Sequence, residues 1–254
     1  MNGLNHTLRD EIRDYWSARA ATFDDQPGHE IFSAEERAAW HDLLRRHLPA
    51  GRGGSALDLG CGTGVISRLM EERGYAVTGM DWAEPMLARA RAKAAADGRS
   101  ARFLLGDAER TMEPDASHDV VIARHLVWTL VDPEEAFREW RRVLRPGGRL
   151  LIVDGDFVTP TWIARLRRLL PLPAPVADKE SARTHRSILS RVHFSEGARA
   201  EAVATLLARC GFTVECIDRD LGAIHRAQGR RMTLGKRLER GAQHRYAVLA
   251  VRRS

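Results

Sequence analysis

The sequence predicts an α/β fold, a doubly wound and mostly parallel sheet of seven strands with N-terminal helices and a cap insertion. Two observations support this prediction. From residue 55 onwards, short apolar runs alternate with amphipathic helical segments, which is typical of parallel strands joined by helical crossovers. The first apolar run leads into Gly60, Gly62 and Gly64, and glycines this dense indicate a sharp turn or a close approach of the backbone to a ligand.

The region before residue 50 is predicted to contain two helices joined by the segment FDDQPGHE. Apolar residues recur at helical spacing up to Trp16, and Ser33 with Glu36 forms a capping box ahead of the second helix. We therefore divide the chain into an N-terminal helical lid, residues 1–50, and a sheet domain, residues 51–254.

The strands and helices of the sheet domain have readable ends. Pro85 stands at a first helical position, Asp132 precedes Pro133 as a cap, and Gly74 and Gly211 end helices. A further helix is expected to start near Ser195. The predicted strands are 55–59, 76–80, 102–105, 118–123, 149–154, 212–217 and 246–252.

Two segments interrupt this alternation, the cap insertion at about 157–194 and the stretch 222–243. Both are basic: residues 157–192 contain seven Lys or Arg against two acidic residues, and residues 221–245 contain seven against one, in a chain of net charge +6. This distribution indicates an anionic partner close to the insertions. A solvated, arginine-rich surface is the alternative.

Composition excludes several classes of protein. No run approaches the roughly 18 apolar residues that cross a bilayer, and the N-terminus is too polar for a signal or transit peptide, so we expect a cytoplasmic protein with no membrane partner. Cys61, Cys210 and Cys216 lack the spacing of a zinc site. We expect no metal.

The pattern Asp58-x-Gly60-x-Gly62-x-Gly64 resembles the first motif of class I S-adenosylmethionine-dependent methyltransferases. Its companions follow in order: Asp81 after the second strand, GDAE at 106–109, and the stretch HDVVIARHLVWTLVDPEEAFREWRRVLRPGGRLLIVD. The resemblance covers residues 55–154 closely. It implies a Rossmann-like methyltransferase fold with S-adenosylmethionine as cofactor.

Roles for individual residues follow from this resemblance. Asp81 would bind the ribose hydroxyls and Asp107 the adenine amino group, while Trp16 and Arg19 would close over the methionine carboxylate. The three glycines would let the cofactor lie against bare backbone, and Asp58 could accept from an ammonium group. The full set of expected cofactor-binding residues is Asp58, Gly60, Cys61, Gly62, Gly64, Asp81, Trp82, Met86, Asp107, Ala108, Arg124, Trp16 and Arg19.

Structural roles stay open for several of these residues. Asp81 could cap the following helix and Asp107 could cap a turn. Trp82 would cover one face of adenine, but both Trp82 and Trp16 could instead serve as packing anchors. Cys61 is interpreted as a small buried residue without reactivity.

Methyl transfer requires an acceptor held in line with the methyl carbon and water kept out. Where the acceptor must lose a proton, a general base contributes. His125, just past the fourth strand, is the first candidate for this catalytic role, and His29 in the lid is the second; a core or surface histidine is the alternative.

The residues after the fourth strand predict the class of acceptor. Nucleic-acid amino methyltransferases of this family carry Asn or Asp followed by Pro-Pro-aromatic there, whereas this chain has ARHLVW. We therefore expect methylation of a nitrogen or oxygen of a small, acidic metabolite bound by the arginines of the cap insertion. No nucleic-acid partner is expected, and a homodimer is left open.

Three alternatives remain at this stage. An RNA-directed methyltransferase would use the basic insertions. A nicotinamide-dependent reductase is disfavoured because the glycines do not follow G-x-G-x-x-G and no Tyr-x-x-x-Lys occurs. A non-catalytic binding protein could retain the cofactor fold.

Overall fold

The computed structural model describes residues 7–163, 165 and 179–253. The strands are β1 Ser55–Leu59, β2 Ala76–Asp81, β3 Arg102–Leu105, β4 His118–Arg124, β5 Leu144–Gly155, β6 Thr213–Asp218 and β7 Arg245–Val251. The described helices are α1 Leu8–Arg19, α2 Ala34–His47, α3 Val65–Glu72, α4 Glu84–Ala96, α5 Pro133–Val143, α6 Lys179–Leu189, α7 Ala200–Arg209, α8 Gly222–Gly229 and α9 Leu234–Ala242. A 3₁₀ helix, Ala20–Asp25, follows α1 directly.

The seven strands form one sheet in the order β3-β2-β1-β4-β5-β7-β6. Strands β1 to β5 pair in parallel, and β7 runs antiparallel to both β5 and β6. The predicted fold class is thereby confirmed. Because β7 is reversed, its first residue, Arg245, lies beside Gly155 at the end of β5.

Helices cover both faces of the sheet, and this explains why its strands are continuous apolar runs. On one face Phe137 and Trp140 of α5 are fully buried against the central strands. On the other face Leu43 and Leu44 of α2 are buried beside α3. Burying a side chain of this size contributes roughly 1.5–3 kcal/mol.

The predicted helix near Ser195 begins five residues later, at Ala200. Gly197 adopts φ +110, a backbone conformation that breaks a helix. Within the cap insertion, residues 164 and 166–178 lie outside the described residues, and α6 is a described part of it. The second basic segment forms α8 and α9. The division into a lid and a sheet domain stays a prediction.

No helix in the described part of the chain combines the length and hydropathy needed to cross a bilayer.

Candidate active site

The glycine turn between β1 and α3 has two kinds of glycine. Gly60 and Gly64 adopt φ +63 and φ +82, and a Cβ added to them would lie 3.0 Å from Leu126 and 3.2 Å from Ala90, respectively. At Gly62, with φ +53, the nearest atom to an added Cβ is 3.8 Å away. A side chain at Gly60 or Gly64 would therefore crowd its neighbours, while Gly62 leaves its backbone open to the space in front of the turn.

That space is a cavity of about 330 Å³ at the carboxyl ends of the parallel strands, the edge at which open α/β sheets bind ligands. Of the residues that the sequence predicts as cofactor-binding or catalytic, all but Gly64 line it. Gly64 starts α3 behind the turn, where its φ and the side chains of Ala90 and Phe103 require glycine.

Asp81 lines the cavity beside the glycine turn and accepts two backbone hydrogen bonds there. Its Oδ2 accepts from the backbone N–H of Gly62 and its Oδ1 from that of Ala83, both at 2.9 Å. The N-cap residue of α4 is Ala83, so Asp81 supports the helix entry without being its cap. Each carboxylate oxygen keeps a second lone pair that a ribose hydroxyl could use.

Asp58 is 1% exposed and accepts a 2.6 Å hydrogen bond from the Ser67 hydroxyl. Burial raises the pKa of its carboxyl to about 7. Beside it, burial raises the pKa of the Cys61 thiol well above its usual value. Cys61 therefore stays protonated, in agreement with its interpretation as an unreactive residue.

The loop after β3 connects the cavity to α1. Asp107 Oδ1 accepts from the backbone N–H of Glu109 at 2.8 Å, so the expected turn-capping role is present. Glu109 is buried and pairs with Arg9 of α1, whose Nε also lies 3.8 Å from Asp107 Oδ2. Arg9 thus attaches the N-terminal helix to the loop that is expected to meet adenine.

The N-terminal residues cover the cavity from above. Trp16 packs edge-to-face against Phe23 and Trp128, with ring centroids 6.0 and 6.1 Å apart. Its ring therefore both anchors helices and lines the cavity. The Arg19 guanidinium lies over the Tyr15 ring at 5.2 Å.

Asp24 fastens this cover to the glycine turn. The Thr63 hydroxyl donates to Asp24 Oδ1 at 2.5 Å, and Lys93 of α4 donates to its Oδ2 at 3.2 Å. Opening the cover would have to break these contacts.

The opposite end of the cavity is cationic, with Arg124, Arg240 and Arg245 in its lining. Arg124 donates to the backbone carbonyls of Gly28 and His29 at 3.1 and 3.4 Å. Arg240 donates to the carbonyl of Pro27 and, at 2.6 Å, to Gln228 Oε1. These partners are uncharged, and within the described residues none of the three guanidinium groups has a carboxylate within 4.0 Å.

The two predicted catalytic histidines are both neutral. His125 Nε2 accepts from Arg245 Nη1 at 3.0 Å, which assigns the ring proton to Nδ1 because Arg can only donate. Burial, followed by the charges of Arg245 and Arg124, holds the pKa of His125 well below its usual value. His29 Nδ1 donates to the Phe23 carbonyl at 3.0 Å, and burial lowers its pKa to about 4.

Comparison with known proteins identifies the family that the first part of the sheet domain resembles. A family model described as a methyltransferase domain matches residues 57–152, which run from β1 to β5. This stretch therefore matches a methyltransferase domain, and its motifs resemble those of class I S-adenosylmethionine-dependent methyltransferases. The domain contributes Asp58, Asp81 and the glycine turn to the cavity.

Individual methyltransferases also match part of this chain. A demethylmenaquinone methyltransferase of Thermus thermophilus is 44% identical over 100 residues, covering 39% of this chain and 46% of the relative. A ubiquinone/menaquinone biosynthesis C-methyltransferase of Bdellovibrio bacteriovorus is 31% identical over 59% of this chain and 64% of the relative. The chain spans about half the length of the first of these, 46%.

Solved structures agree at the level of fold. The phosphoethanolamine N-methyltransferase 2 of Haemonchus contortus, in complex with S-adenosyl-L-methionine, superposes with a TM-score of 0.67 and 17% identity. It is matched over 99% of this chain and 60% of its own.

Sequence reasoning missed cavity residues that lie outside or late in the methyltransferase domain. The arginines expected from the cap insertion do not line the cavity where they are described, and Arg191 pairs with Glu11 instead. Arg240 and Arg245 carry the positive charge. Their only signal was the basic character of the second segment. The other lining residues without a sequence prediction include Tyr15, Phe23, Trp128, Phe157 and His185.

Proposed function

We propose that this chain is an S-adenosylmethionine-dependent methyltransferase that transfers the methyl group to a nitrogen or oxygen of a small, acidic molecule. The observation that carries the proposal is the open backbone of Gly62 between the buried carboxylate of Asp58 and the half-buried carboxylate of Asp81, inside a cavity that continues to a cationic end. Donor and acceptor would thus share one enclosed space.

In this proposal the chain's residues bind, orient and exclude water. S-adenosylmethionine, when bound, supplies an activated methyl group. Asp81 would hold the ribose hydroxyls, Asp107 the adenine amino group and Asp58 the ammonium group. Trp16 and Arg19 would cover the methionine part, with Trp82, Met86 and Ala108 at the adenine side. Alignment and dehydration of this kind contribute roughly 7–11 kcal/mol to the barrier reduction when the geometry is good.

The histidines favour nitrogen or oxygen over carbon as the methylated atom. Deprotonating a carbon needs a strong base, and burial keeps the pKa of His29 at about 4 and that of His125 well below its usual value. An amine, or an oxygen that is already ionised, needs little help. His29 is the better placed proton acceptor of the two, because its Nε2 has no hydrogen-bond partner in the described residues while His125 Nε2 is used by Arg245.

The test is mass spectrometry of a cell extract incubated with the protein and isotopically labelled S-adenosylmethionine. One labelled small product, absent with the Gly62→Arg variant, supports the proposal. Label in RNA instead, with binding that weakens steeply as salt rises, would support the RNA-directed alternative. Failure of calorimetry to detect cofactor binding would contradict both.

The cytoplasmic location and a homodimer stay predictions from the sequence. Light scattering coupled to size-exclusion chromatography tests the second.

A further inference from the structure

The cavity is electrically divided. Asp58, Asp81 and Asp107 stand at the ends of β1, β2 and β3, whereas Arg124 and Arg245 stand at the end of β4 and the start of β7. The acidic half suits the hydroxyl, amino and ammonium groups of the cofactor. Arg124 is also an expected cofactor-binding residue and Arg19 is expected to meet the methionine carboxylate, so it is the charge of Arg240 and Arg245 that requires another explanation.

Arg245 uses only part of its hydrogen-bonding capacity. Its Nε donates to Gln243 Oε1 at 3.0 Å and its Nη1 to His125 Nε2 at 3.0 Å. Within the described residues Nη2 has no protein hydrogen-bond partner. It is not one of the fully buried polar atoms that lack a partner, so it is accessible to solvent or to a ligand. The carboxylate that acts on Arg245 most, Asp154, already accepts from the backbone N–H groups of Val127 and Gly155.

His125 presents a second donor of the same kind. Because its Nε2 accepts from Arg245, the ring proton is on Nδ1. This N–H also has no protein hydrogen-bond partner in the described part of the chain, and it is not fully buried. The residue sits at φ +56, a left-handed conformation that is strained for a side chain with Cβ. Phe157 packs on both groups, edge-to-face with the His125 ring at 5.4 Å and under the Arg245 guanidinium at 5.1 Å.

Arg245 is half-buried, and a partly desolvated cation without a carboxylate partner carries a cost that a bound anion would offset. We propose that Arg245 and the Nδ1–H of His125 bind an anionic oxygen group of the methyl acceptor, a carboxylate or a phosphate, with Arg240 and Arg124 providing further positive charge. This inference deepens the proposed function and rests on it, because the anion is taken to be part of a methyl acceptor. In this arrangement His125 is a binding group and not the base.

Anion binding is measured on the full chain saturated with S-adenosylhomocysteine, by thermal melts and calorimetry with acetate and inorganic phosphate in separate arms at constant ionic strength. We expect either anion to raise the melting temperature of the wild-type protein. Arg245→Met should weaken anion binding about tenfold or more, because a charge-assisted hydrogen bond is lost. Whichever anion binds more tightly identifies the acceptor group as carboxylate or phosphate.

Two further variants keep the result interpretable. Arg237→Met removes an exposed arginine from α9 and should leave anion binding unchanged, and Arg245→Lys should retain part of it because it keeps the charge. Arg245→Met should also melt no lower than wild type without anion, since an unneutralised, half-buried charge is removed. An equal anion response in Arg245→Met and wild type, or no wild-type response at millimolar anion, overturns the proposal. Binding of S-adenosylhomocysteine itself, measured in parallel, reports on the proposed function alone.

Discussion

Cofactor affinity should depend on pH through Asp58. The pKa of this buried carboxyl is raised to about 7, so in the free protein it is increasingly protonated below that pH. An ammonium group pairs with the carboxylate form, and binding must therefore release a proton. For a pKa of about 7, the dissociation constant should rise about eightfold between about pH 7.5 and about pH 6, roughly 1 kcal/mol.

The assay is calorimetric titration with S-adenosylhomocysteine in buffers of different ionisation enthalpy, which counts the protons released. His29, with a pKa of about 4, stays neutral over this range. Asp154 shares a raised pKa of about 7, so variants must assign the effect. Asp58→Asn should abolish the pH dependence. Ser67→Ala should move the inflection to higher pH, because the Ser67 hydroxyl bond lowers the pKa of Asp58.

An Asp58→Asn variant that binds cofactor with an unchanged pH slope would refute this reasoning. Stability gives an independent check with a defined sign. The folded carboxyl holds its proton more tightly than the unfolded one, so this contribution is fully present below the unfolded pKa of about 4 and is lost as pH rises through about 7. The ligand-free protein should therefore lose part of its unfolding free energy over that window, and Asp58→Asn should lose less.

Three other predictions concern the turn, the acceptor end and the cover. Gly62→Arg should abolish cofactor binding in calorimetry without unfolding the chain, since a Cβ there meets nothing within 3.8 Å; Gly98→Arg, at a similar positive φ in open space, is the matched control and should bind normally. His125→Ala should leave cofactor affinity within about twofold of wild type but raise the acceptor KM about tenfold or more; an unchanged acceptor KM would remove His125 from the site. Asp24→Asn, which loses the ion pair with Lys93, should speed cofactor dissociation severalfold in stopped-flow measurements, and an unaltered rate would show that the cover does not gate release.

Local sequence signals explain why the acidic half of the cavity was predictable. The glycine turn and the acids that follow β2 and β3 are each encoded within a few residues of a strand end. Parallel strands then bring those ends to one edge. Gly64 shows the limit of such reasoning, because its requirement comes from Ala90 and Phe103, which only packing brings near.

The cationic half of the cavity depends on pairing between strands that are distant in sequence, and it was not predicted. Arg245 faces the cavity because β7 pairs antiparallel with β5 and sets it beside Gly155. Nothing in the residues around it reveals that direction. Charge counting found the right property, an excess of arginine, but assigned it to the cap insertion, whereas Arg240 and Arg245 follow β6.

The reversal of β7 has an evolutionary consequence. A last strand running parallel to the others would deliver its first residue to the far edge, distant from the chemistry. Running the other way, it places Arg245 in the cavity lining together with Arg240, which comes from the segment between β6 and β7. Substitutions at these two positions could therefore adapt the cationic end to another ligand without changing residues 57–152, the stretch that matches a methyltransferase domain.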